Sequence, residues 1–169
     1  MQSVDEMEEK RLRQPEIEMR PLAEGEDGTA FRTLNEEWIS RFFVLEAKDH
    51  EVLGNPGAIL SKGGRVLMVY ADGVAVGCVA LIPMGDGVYE LSKMAVSPEL
   101  RGLGIGRRLL TYAVAQAREM GAVSLFLGSS WKLANAVHLY ESIGFVHVPA
   151  ERIPPMEYAR AEVFMEMVL

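Results

Sequence analysis

Three glycines at alternate positions, Gly102, Gly104 and Gly106, sit inside the segment Ser97-Pro98-Glu99-Leu100-Arg101-Gly102-Leu103-Gly104-Ile105-Gly106-Arg107-Arg108. Without Cβ atoms, their backbone N–H groups can crowd together and a ligand can approach closely. Helical spacing of apolar residues starts at Ile105, so the glycines fall at a helix N-terminus. Unpaired N–H groups and the positive end of the helix dipole favour an anion there. Arg101, Arg107 and Arg108 add positive charge to a chain whose formal net charge is −7. The chemistry that suits this combination is phosphate or pyrophosphate binding. The plainer use of the same glycines is a tight strand-to-helix turn.

Two common phosphate loops do not fit. A P-loop ends in Gly-Lys-Ser/Thr, which is absent, and a dinucleotide fingerprint starting at Gly102 needs glycine where Arg107 stands. The acidic balance excludes nonspecific nucleic-acid binding, which depends on many phosphate-neutralising cations. No apolar run approaches the ~18 residues of a membrane span. Met1 to Arg13 alternates acids and bases without an apolar stretch, so it does not read as a secretory signal. The single cysteine, Cys78, lies in an apolar run and reads as buried and inert; one cysteine fits a reducing, cytoplasmic setting. His50, His138 and His147 have no companions at metal-ligand spacing, so no metal is expected.

The elements that must position the glycine segment follow from periodicity. Residues 1–15 read as a charged, flexible arm, and residues 16–169 as one domain. Ile17 to Leu22 reads as a strand. Phe31, Leu34, Trp38, Ile39 and Phe42 mark a helix from about Thr29 to Phe42. A second helix spans Glu46 to Leu53, stopped by Gly54-Asn55-Pro56-Gly57. Arg65 to Tyr70, Val74 to Met84 and Val88 to Val96 read as three successive antiparallel strands, joined by Asp72-Gly73 and Gly85-Asp86-Gly87 turns, with Pro83 at a fraying strand end. A helix starting at Ile105 closes at Gly121. A strand (Val123 to Leu127), a helix (Ala134 to Ser142), a strand (Phe145 to Val148), a loop (Pro149 to Arg160) and a strand (Ala161 to Leu169) complete the chain. The order β-α-α-β-β-β-α-β-α-β-β predicts a mixed α/β sheet with helices on both faces, and a parallel crossover between the strands flanking the glycine segment.

With these elements in place, three blocks together resemble the GNAT acetyltransferase superfamily. Arg101, Gly104 and Gly106 meet the pattern [Q/R]-x-x-G-x-[G/A]. Leu91-Ser92-Lys93-Met94-Ala95-Val96-Ser97-Pro98 looks like the strand that leads into that loop. Asn135-Ala136-Val137-His138-Leu139-Tyr140-Glu141-Ser142-Ile143-Gly144-Phe145 looks like the family's late helix. The resemblance runs from about Ile17 to Leu169. It implies the GNAT fold, with a mostly antiparallel central sheet, and an N-acetyltransferase that uses acetyl-CoA and an amine acceptor. A homodimer is a common assembly of such proteins.

The resemblance also implies residue roles. Backbone groups of Met94, Ala95 and Val96 pair with pantetheine amides like an added strand. The backbone of Arg101, Gly102, Leu103, Gly104, Ile105, Gly106 and Arg107 holds the pyrophosphate, and Asn135 contacts the pantetheine or phosphate part. Glu90 is the candidate base and Tyr140 the candidate acid. Trp38, Phe42 and Ser92 are candidate acceptor contacts. The plainer alternatives are a solvent-facing Glu90, a core Tyr140, a helix-capping Asn135 and core aromatics. A noncatalytic acyl-CoA sensor and a longer acyl donor are the alternative functions.

Overall fold

The computed structural model describes residues 3–6, 14–100, 102–155 and 157–169. Most of the charged arm, and Arg101, therefore lie outside the described residues. The strands are β1 (Ile17–Pro21), β2 (Arg65–Ala71), β3 (Val74–Gly85), β4 (Val88–Val96), β5 (Ser124–Ser129), β6 (Val146–His147) and β7 (Val163–Val168). The helices are α1 (Thr29–Phe42), α2 (Ala47–Gly54), α3 (Pro56–Ser61), α4 (Ile105–Glu119) and α5 (Ala134–Ile143). The strands form one sheet in the order β1-β2-β3-β4-β5-β7-β6. All neighbours are antiparallel except β4 and β5, which run parallel around α4 as the alternating patterns predict.

Period-two alternation divides the strands between two cores. Leu67, Val69, Val79, Leu81 and Leu91 face α4 and α5, where the buried stripe Ile105, Leu109, Leu110, Ala113, Val114 and Ala117 of α4 meets them. Val66, Met68, Cys78 and Ala80 face the other way, onto Phe31 and Ile39 of α1, Leu53 of α2 and Ile59 of α3. The turn from β2 to β3 has positive φ at both central residues, Asp72 (47°) and Gly73 (81°), the twist a two-residue hairpin requires.

Three expectations are corrected. Gly54-Asn55-Pro56-Gly57 ends α2 but does not end helical structure: Pro56 opens α3 at its first position, where a missing N–H costs nothing. The observed order therefore has one more helix than predicted. Pro83 does not mark fraying, because β3 continues to Gly85 with Pro83 opposite Tyr89. The predicted strand Phe145 to Val148 shrinks to Val146–His147.

Candidate active site

The parallel pairing of β4 with β5 is short. It joins Val88 to Ser124, Tyr89 to Leu125 and Glu90 to Phe126, and then stops. From Leu91 onward β4 keeps β3 on one side and has no described strand on the other. A cleft of about 870 Å³ opens at this fork. A bulge in β4 accompanies the divergence. Cys78 pairs with Ala95 and Ala80 with Ser92, so Lys93 and Met94 together oppose Val79. Such a bulge bends its strand. Lys93 sits at φ 57°, a left-handed conformation that costs a non-glycine residue about 1–2 kcal/mol.

The side chain of Lys93 finds partners that offset this cost. Its Nζ donates to Asp49 Oδ1 at 2.7 Å and to the Tyr158 hydroxyl at 2.8 Å. Asp49 is fully buried and saturated. Its Oδ1 also accepts Arg160 Nη2 (2.6 Å), and its Oδ2 accepts Arg160 Nη1 (2.8 Å) and the Glu46 backbone N–H (2.8 Å). Burial opposes charge on Asp49, but the Arg160 and Lys93 hydrogen bonds outweigh it and hold the carboxyl well below its ordinary range. Burial pushes the Lys93 ammonium down, with Asp49 opposing. Glu46 completes the cluster by accepting Arg160 Nη1 and the Ala159 backbone N–H, each at 3.0 Å. The segment before β7 is thus fastened to the start of α2 and to the β4 bulge. None of Asp49, Lys93, Tyr158 or Arg160 was singled out from the sequence; Lys93, Tyr158 and Arg160 line the cleft.

At the far end of β4, Pro98–Leu100 forms a single 3-10 turn and the glycines follow. Gly102 (φ 86°) and Gly104 (φ 67°) occupy left-handed backbone, and Gly104 caps α4. Gly106 lies inside the first helical turn, under Leu139 and Met94. The first intrahelical bond of α4 runs from Arg108 N–H to Gly104 O. The N–H groups of Ile105, Gly106 and Arg107 therefore precede the first intrahelical donor and have no helical acceptor, as at any helix start. Gly102, Gly104, Ile105, Gly106 and Arg107 all line the cleft, and Arg107 Nη2 donates to Ser142 Oγ of α5 at 2.9 Å. The side chain of Leu103 packs on the main core and that of Ala95 is buried on the α1 face.

The other expected site residues converge on the same cleft: Glu90, Ser92, Met94 and Val96 of β4, Trp38 and Phe42 of α1, and Asn135 and Tyr140 of α5. The rings of Trp38 and Phe42 meet at a tilt with centroids 5.1 Å apart, and Phe42 and Phe43 do so at 6.4 Å. Burial raises the Glu90 carboxyl above its ordinary range, against the pull of Lys93. Tyr140 is 8% exposed, packs edge-on against Phe145, and makes no side-chain hydrogen bond among the described residues. Burial pushes its phenol up to about 12. Asn135 is an exposed second residue of α5 and does not cap the helix. Asn35 was not expected at the site, because it interrupts the apolar face of α1. It lines the cleft while its Nδ2 donates to Phe31 O and Cys78 Sγ. Cys78 is fully buried, and burial raises its thiol to about 12. Trp131 stands outside the cleft, 55% exposed and stacked on His147.

Comparison with known proteins agrees with this architecture. Residues 27–145 match the model of the acetyltransferase (GNAT) family. An N-acetyltransferase of Schizosaccharomyces pombe is 32% identical over 145 residues, covering 79% of this chain and 86% of that protein. An amino-acid acetyltransferase of Ralstonia nicotianae is 36% identical over 113 residues, which is 62% of this chain but 24% of that longer protein. Among solved structures, a GNAT acetyltransferase of Staphylococcus aureus superposes with a TM-score of 0.81 at 19% identity, covering 90% of this chain and 99% of that one. An acetyltransferase of Salmonella typhimurium solved with acetyl-CoA superposes at 0.66 and 21% identity, covering 90% and 93%. The forked sheet, the glycine turn and the match over residues 27–145 together place this chain in the GNAT acetyltransferase family, as an N-acetyltransferase.

Proposed function

We propose that the chain transfers the acetyl group of acetyl-CoA to a primary amine of a small molecule or peptide, by direct attack in a ternary complex, and that residues 16–169 act as one catalytic domain. The observation that carries this reading is the unpaired edge of β4, which leads from Glu90 to the N–H groups at the start of α4. Pantetheine amides add to that edge as an extra strand would, through the backbone of Met94, Ala95 and Val96. The pyrophosphate lies on the turn from Gly102 to Arg107, and Asn135 flanks the cofactor from α5. The acetyl-CoA seen with the Salmonella relative supports this donor.

The acceptor amine must be neutral to attack, and free amines of pKa near ~10 are mostly protonated at pH 7. Glu90 takes that proton, directly or through water. Its raised affinity for protons suits the task. The amine nitrogen then bonds to the thioester carbon, and a backbone N–H of Met94 or Ala95 stabilises the oxyanion. As the tetrahedral intermediate collapses, the C–S bond breaks. Tyr140 hydrogen-bonds the departing sulfur. Full proton transfer from a phenol near 12 to a thiolate of ordinary pKa, ~8.5, is uphill by roughly 5 kcal/mol, so the hydrogen bond carries the effect. Cys78 supports direct attack over a covalent acyl-enzyme, since a buried thiol with a raised pKa is a poor nucleophile. Trp38, Phe42 and Ser92 wall the acceptor side.

The test is acetyl-CoA binding and CoA release with a panel of amines. A carboxylate introduced by Gly104→Asp should abolish acetyl-CoA affinity through like charge and left-handed strain, because a Cβ at Gly104 meets no protein atom within 4 Å. Unchanged affinity in that variant, or no CoA release with any amine, refutes the reading.

A further inference from the structure

The cleft is charged against the grain of the chain. The protein carries a net −7, yet among the described residues the charged side chains lining the cleft are Lys93, Arg107, Lys132 and Arg160 against a single acid, Glu90. Arg107 belongs to the glycine turn, and Lys93 is committed to Asp49 and Tyr158. Lys132 and Arg160 remain, and they converge on one aromatic ring. Lys132 Nζ lies 5.3 Å and Arg160 Cζ 5.8 Å from the centre of Phe43.

Their hydrogen bonding leaves donors unspent among the described residues. Arg160 Nη1 serves both Glu46 and Asp49, and Nη2 spends one proton on Asp49. The Nε–H and the second Nη2–H have no acceptor among the described residues. These two groups form one edge of the guanidinium, the edge that grips a carboxylate in a bidentate manner. Asp49 on one side and the Tyr158 ring, 4.6 Å from Cζ, hold the guanidinium in place, so little ordering remains for a ligand to impose. Lys132 has no carboxylate within ion-pair distance among the described residues, and it shares the Phe43 ring with Arg160. Glu90, the acid that lines the cleft among the described residues, offers the opposite charge at the fork.

We infer that the acceptor is a primary amine that also carries a carboxylate, its ammonium beside Glu90 and its carboxylate on the open edge of Arg160 with Lys132. Arg160 and Lys132 are then the residues that set acceptor specificity. The inference rests on the acetyl-transfer reading and adds the chemical class of the acceptor.

The test measures CoA release at saturating acetyl-CoA with matched sets: free amino acids, their carboxamides, and the corresponding decarboxylated amines. Charge-assisted hydrogen bonds to a carboxylate should favour the acids by roughly 10–100-fold in kcat/KM. Lys132→Ala, at an exposed position, should shrink the ratio of acid to carboxamide through KM, and Arg160→Lys should shrink it further while keeping a charge beside Asp49. Carboxamides or decarboxylated amines turned over as well as the acids overturn the inference but leave acetyl transfer standing. A ratio unmoved by Lys132→Ala and Arg160→Lys overturns the residue assignment and the inference with it. No release with any member of the sets beside release with another amine overturns the inference and leaves acetyl transfer standing, and no release with any amine overturns both readings.

Discussion

Replacing Asp49 by alanine should destabilise this protein far more than a typical substitution on a helix. The carboxylate is fully buried and takes four hydrogen bonds, from Lys93, from Arg160 twice and from the Glu46 backbone. Its removal strands the ammonium of Lys93, whose side chain is 3% exposed, with only the Tyr158 hydroxyl for company. Breaking a buried pair by deleting one partner costs about 3–5 kcal/mol. For a domain of this size each kcal/mol lowers Tm by about 2–4 °C, so the expected fall is roughly 6–20 °C. Lys93→Met beside Asp49→Leu should recover part of the loss, because it removes the stranded ammonium while Arg160 keeps Glu46. The sign of the pH dependence follows from the depressed carboxyl of Asp49. Its contribution is present above the unfolded value, ~3.9, and is lost as pH falls below it toward the folded one. The penalty of Asp49→Ala should therefore narrow in acid. Urea denaturation of the parent, Asp49→Ala and the double variant at neutral pH and below pH 4 measures all of this. A loss under about 1 kcal/mol at neutral pH, or a double variant no better than Asp49→Ala, refutes the reasoning.

Other expectations concern the reacting groups. Glu90→Gln should lower turnover by about 10²–10⁴-fold at neutral pH, with the gap closing as pH nears the amine's own pKa. A rate unaffected at every pH moves the base elsewhere. Because the folded Glu90 pKa is raised, its favourable contribution is full below the unfolded value and is lost as pH rises through the folded one. Glu90→Gln should then melt higher than the parent at neutral pH, and an equal or lower Tm contradicts the assigned burial effect. Tyr140→Phe should slow thiol departure while keeping acetyl-CoA affinity and fold, and a normal rate would return Tyr140 to the core.

Much of the scaffold was legible because its signals are local. The short apolar runs of β2 and β3, the alternation in β4, Asp-Gly at the hairpin, and the apolar stripe of α4 each read from a few adjacent residues. The glycine turn was legible for the same reason. Asn55-Pro56 reads equally as a helix stop and a helix start, and only packing of Ile59 against the sheet decides for α3. The acceptor half was opaque for a different reason. Asp49 looks like any acid in the first turn of a helix, and the partners that bury it stand 44 and 111 residues away. Nothing local marks Lys93 for a left-handed bulge. Its conformation follows from the register of β4 against β3 and from the carboxylate waiting behind it. Asn35 was passed over because it breaks an apolar stripe, yet Cys78 and the Phe31 carbonyl give its amide a buried place.

The central claim is that acetyl-CoA lies along the open edge of β4 with its pyrophosphate on the turn from Gly102 to Arg107. Backbone amide NMR of the protein titrated with acetyl-CoA tests it most directly. The amides of Gly104, Ile105, Gly106 and Arg107 should shift downfield and become protected from exchange, together with those on the free edge of β4 from Leu91 to Val96. Saturable binding that leaves these amides unmoved and shifts another face of the sheet would contradict the account.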